Sequence, residues 1–139
     1  MRKLLFPIIV LMLFLGSTAL AAGYIPITDE IDLDYDAKRV RVFVSATYKQ
    51  DTPVLDKKAG AKMLEYINTL TINDERDRLV EVFEKRPTLK RKAIHAIEKY
   101  LKRDECTYSR EDDFYQCYYT LELKLVKEAI PDLNYPKKD

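Results

Sequence analysis

The chain has 139 residues, 24 Lys and Arg against 23 Asp and Glu, three Gly and six Pro, which suits one compact domain and excludes a low-complexity or disordered chain. Its formal net charge of +1 gives no electrostatic footprint for nucleic acid. The ten Tyr and no Trp suit half-buried sheet surfaces, where the ring packs and the hydroxyl stays wet.

The chain opens with the pattern of a secretory signal peptide. Arg2 and Lys3 make a positive start, Leu4 to Leu15 an apolar core, and Ala19-Leu20-Ala21 a small-residue cleavage site. Residues 1–21 read as a cleaved leader, with cleavage at Ala21 or Ala22, and 22–139 as one globular domain. The alanine-rich site points to bacterial export, hence a periplasmic or secreted product that is not integral to the membrane after cleavage. Loss of Arg2 and Lys3 leaves 24 − 2 = 22 basic residues against 23 acidic, a net charge near −1.

Two strands are expected next. Ile31, Leu33 and Tyr35 alternate with Asp32, Asp34 and Asp36. Arg39 to Tyr48 repeats the pattern, with Val40, Val42, Val44, Ala46 and Tyr48 on one side and Phe43 as the exception on the other. The Asp-x-Asp-x-Asp run resembles the opening of a calcium loop. However, Ala37 stands where that loop turns on Gly, and Phe43 where it needs a bidentate Glu, so the run reads as an acidic outer strand face. No metal site and no cofactor are expected.

Three helices follow. Met63, Leu64, Ile67 and Leu70 give an apolar stripe over about Lys57 to Leu70. Asn73 is a fair N-cap for a second helix carrying Leu79, Val80 and Phe83, which Pro87 ends. Thr88 caps a third, Leu89 to about Arg103, whose apolar residues crowd into one arc of about 160°. The stretch Glu84 to Arg103 holds eight Lys or Arg against Glu84 and Glu98, a local charge of +6.

The pattern then returns to period two. Tyr115, Cys117, Tyr119, Leu121, Leu123 and Leu125 face one way along a long strand, paired with Glu105 to Ser109 through the polar loop 110–113. In that register Cys106 lies opposite Cys117, and two cysteines in an exported chain make a structural disulfide. From about 131 the chain reads as an irregular tail.

The fold class expected is α+β, in the order β-(β)-α-α-α-β-β, an antiparallel sheet with three helices on one face. No nucleophile elbow or Gly-rich phosphate loop occurs, and His95 has no ligand set near it in sequence. The functional reading is therefore a small non-enzymatic binding protein whose basic helix face (Arg91, Lys92, His95, Lys99, Lys102, Arg103) meets an acidic protein or an anionic cell-envelope component. The alternative is an envelope-acting hydrolase or enzyme inhibitor with a site assembled from distant residues.

Overall fold

The computed structural model describes residues 23–47, 52–72 and 77–138. The signal-peptide segment, Tyr48 and Asn73 lie outside them. Strands β1 (Ile25–Pro26), β2 (Ile31–Asp34) and β3 (Arg39–Ala46) lead into helix α1 (Thr52–Ile67). Short strands β4 (Thr71–Ile72) and β5 (Asp77–Arg78) pair ahead of helices α2 (Leu79–Lys85) and α3 (Pro87–Tyr100). Strands β6 (Lys102–Ser109) and β7 (Phe114–Glu122) then form a hairpin, followed by helix α4 (Leu123–Ala129). The fold is α+β, with a five-stranded antiparallel sheet in the order β1-β2-β3-β7-β6.

The two halves of the chain meet at β3 and β7, whose register runs from Arg39 opposite Glu122 to Ala46 opposite Tyr115. Side-chain parity then sorts the faces. Val40, Val42 and Val44 stand beside Leu121, Tyr119 and Cys117, all buried. Helix α1 covers that face with Leu55, Ala59, Met63 and Ile67, each removed from solvent. Phe43, the exception in the sequence pattern, packs on Tyr118 across the opposite face with ring centroids 5.1 Å apart.

On that outer face Arg41 donates from Nε and Nη2 to Asp32 Oδ2 at 3.1 and 2.7 Å. Its guanidinium also lies over the rings of Tyr24 and Tyr118, 4.1 and 4.6 Å from their centroids. Asp34 Oδ1 accepts the Ala37 N–H at 3.0 Å and closes the β2–β3 turn, where Lys38 takes a left-handed φ of 54°. The acidic run thus serves strand pairing and the turn.

Four helices are present among the described residues, one more than expected. The last strand stops at Glu122 instead of Leu125, because β6 begins opposite Thr120 and β3 begins opposite Glu122. Beyond Glu122 the Leu123 N–H still donates across to the Lys38 carbonyl at 2.8 Å, and from there the backbone closes its bonds locally as α4. Leu123, Val126 and Ile130 then recur at helical spacing and are all buried.

Other boundaries move for similar reasons. Thr52 starts α1 five residues early, with Pro53 in its first turn, where a missing N–H costs nothing. Pro87 likewise opens α3. Helix α2 begins only at Leu79, after the β4–β5 pair. Helix α3 ends at Tyr100 because Leu101 is extended (φ −66°, ψ 125°), which turns Lys102 and Arg103 into strand residues.

Cys106 and Cys117 are directly paired across β6 and β7 and bonded, with Cα atoms 4.1 Å apart. After α4, Leu133 is fully buried and bridges Ile72, while the Asn134 N–H donates to the Thr71 carbonyl at 3.0 Å. No described helix is long and apolar enough to cross a membrane.

Two buried phenols make the fold sensitive to alkali. Burial pushes Tyr66 up from its ordinary value, with the nearby Tyr35 adding to it. Burial also raises Tyr119, reinforced by its hydrogen bond to Asp56 and that carboxylate's charge, against a smaller lowering by Arg103. Both folded-state values lie above the unfolded value of about 10. The unfolded chain therefore releases these protons first as pH rises. Stability is full below about pH 10 and declines above it. Urea midpoints measured from pH 8 to 11 should fall above pH 10, and Tyr66→Phe should flatten that fall. An unchanged slope in the variant would show that Tyr66 contributes nothing to it.

Candidate functional site on helix α3

Helix α3 is held by one face. Leu89, Ala93, Ala96 and Ile97 are buried, and the helix packs on α1, α2 and α4. That leaves Lys90, Arg91, Lys92, His95, Glu98 and Lys99 exposed. Two concavities flank the helix, each of about 540 Å³, one toward α4 and one toward α1.

The α3–α4 groove takes four of the six basic-face residues. Arg91, Lys92, His95 and Lys99 line it together with Tyr100 and, from α4, Leu125, Glu128 and Ala129. Arg91 Nη2 donates to Thr88 Oγ1 at 3.3 Å, and the Lys99 ammonium lies 5.3 Å from the Tyr100 ring centroid. Among the described residues no carboxylate comes within 4.0 Å of the basic groups of Arg91, Lys92, His95 or Lys99. Arg91, Lys92, His95 and Lys99 are all exposed there, and Glu128 is the one carboxylate among the residues that line the groove.

Lys102 and Arg103 lie elsewhere, on opposite faces of β6. Lys102, opposite Thr120, joins Arg39 and Arg41 in a hollow of about 350 Å³ on the outer sheet face. Arg103, opposite Tyr119, points to the α1 side and places Nε 3.8 Å from Asp56 Oδ1. In a regular strand Arg103 and Cys106, three residues apart, would face opposite ways. The register shift between them returns both to the core side.

The α1–α3 cleft has aliphatic walls from Leu64, Ile94, Ile97 and Leu101, with Asp56, Arg103 and Tyr119 at its polar end. Asp56 accepts the Tyr119 hydroxyl. With Arg103 also beside it, its carboxylate is committed to holding the α1–β7–β6 junction. No cluster of three His, Cys, Asp or Glu able to hold a metal occurs among the described residues.

No protein-family model, no curated protein and no solved structure matches this chain. The site is therefore argued from its own residues. Sequence reasoning missed the second wall of the groove, Leu125 and Glu128, having placed Leu125 on the last strand. The Leu123–Val126–Ile130 spacing was the available signal for both, since it announces the helix that forms that wall.

Proposed function

We propose that this is a small exported protein of the cell envelope, without catalytic activity, that binds an anionic partner through the α3–α4 groove. The observation that carries the reading is the set of Arg91, Lys92, His95 and Lys99 along one concave surface with no carboxylate within 4.0 Å of them. Unpaired cations in a groove focus the field and raise the local concentration of an anion. The disulfide supports an oxidising compartment, as does the leader-like pattern of residues 1–21. The address has its own readout: protein recovered from its native compartment should begin at Ala22 or Gly23 on N-terminal sequencing. A start at Met1 would make it membrane-anchored.

Lys92→Glu with Lys99→Glu tests the groove. Both side chains are exposed, so folding stability should move by only about 0.5 kcal/mol. Capture of the envelope partner should drop at least tenfold, and wild-type capture should itself weaken as salt rises from 0.05 to 0.3 M, because screening acts on exposed charges. Capture indifferent to both changes would overturn the assignment. Unfolding of the double variant would show instead that these lysines hold the domain together.

A further inference from the structure

The α3–α4 groove presents two demands that its occupant must meet together. The first is a row of positive and imidazole groups, Arg91, His95 and Lys99, at positions i, i+4 and i+8 of one helix. At 1.5 Å per residue the row spans about 12 Å, with a group every 6 Å. The second is an apolar floor beside it, made by Ala96, Tyr100, Leu125 and Ala129. Ala96 is only 3% exposed, so the accessible floor is formed by the half-buried Tyr100, Leu125 and Ala129.

We infer, resting on the anionic-partner reading above, that the occupant is an amphipathic helix of another protein, with Asp or Glu every fourth residue beside a narrow apolar stripe. Acidic residues four apart on a helix repeat every 6 Å, the spacing of the α3 row. The apolar stripe beside them meets the floor in the same docking, as in other helix-in-groove complexes. An extended acidic peptide lacks this geometry, since its alternate side chains point to opposite sides and cannot engage rim and floor at once. A bilayer surface would meet the basic groups, but the residues lining the groove include no Trp or Phe to enter lipid. The Glu128 carboxylate on the α4 wall sets orientation, because it turns the partner's acidic row toward α3.

The test uses the exported protein and four fluorescent probes, with binding read by anisotropy or co-sedimentation. The first is a helical peptide of about 15 residues with Glu at i, i+4 and i+8 beside a Leu/Ala stripe. The second has the same composition with a central Pro, the third is oligo-glutamate of equal charge, and the fourth is phosphatidylglycerol vesicles. The helical peptide should bind at least tenfold more tightly than the Pro-interrupted peptide or oligo-glutamate. Ala129→Trp, which fills the floor, should weaken it by a similar factor, with circular dichroism confirming the fold. Equal binding of helix and oligo-glutamate, abolished by the Lys92→Glu and Lys99→Glu pair, would overturn the helical occupant while leaving the anionic-partner reading intact. Binding of the helical peptide that ignores the charge reversal would defeat both. Retention by vesicles in preference to the peptide would reassign the groove to lipid headgroups.

Discussion

Replacing Leu133 by Ala is expected to lower the free energy of unfolding by about 3 kcal/mol, although the residue follows the last helix and sits six positions from the end of the chain. Leu133 has no solvent exposure and belongs to the main hydrophobic core. Truncating such a side chain removes its transfer free energy and leaves a cavity that the surroundings fill only in part. Its backbone is fixed as well. Leu133 bridges Ile72, its own N–H donates to the Ile130 carbonyl at 3.0 Å, and the Lys127 ammonium donates to its carbonyl. With so many partners the site cannot relax cheaply toward the shorter side chain. Urea unfolding followed by circular dichroism decides the matter, with Lys138→Ala, an exposed position, as the control. A loss below about 0.5 kcal/mol, the range of ordinary surface changes, would mean that the Leu133 side chain does not anchor residues 131–138 to the core.

Reduction of the Cys106–Cys117 bond should cost a comparable amount, about 3 kcal/mol in the chain-entropy account for a loop of this size. The staple joins β6, an edge strand with mostly exposed residues, to β7, which is central to the sheet. Between Arg103 and Cys106 the ladder is already interrupted by the register shift. The cross-link therefore acts where hydrogen bonding is weakest. Oxidised and reduced protein compared by urea unfolding should differ mainly in midpoint. Hydrogen exchange should show β6 losing protection before β3 and β7. A reduced protein within 1 kcal/mol of the oxidised one would show that the β6–β7 pairing holds without the bond. Cys106→Ala with Cys117→Ala gives the same comparison without reductant.

Period-two alternation over Arg39–Tyr48 and Tyr115–Leu125 marked two long strands, found as β3 (Arg39–Ala46) and β7 (Phe114–Glu122), since a half-buried antiparallel strand must alternate. The same parity sets Cys106 opposite Cys117. The segregated charges of α3 marked out Arg91, Lys92, His95 and Lys99, because burial of one helical face leaves the opposite face to carry the polar residues. These signals are local. Each depends only on how a residue's position in its own element sends it inward or outward.

What tertiary structure decided were the places where two distant segments compete for the same backbone groups. Leu121, Leu123 and Leu125 satisfy a strand pattern, while Leu123, Val126 and Ile130 satisfy a helical one. The choice fell to α4 only because β3 and β6 run out as partners. The charged face was divided in the same way. Leu101 turned extended to start β6 against β7, so Lys102 went to the outer sheet face and Arg103 to Asp56. Hydrophobic pattern by itself therefore marked the main strands, their inner face and the disulfide, while the strand order and the pairing of β1 came from the assembled sheet. Where the chain must turn from helix to strand, the supply of hydrogen-bond partners on neighbouring segments decided, and that supply exists only in the assembled fold.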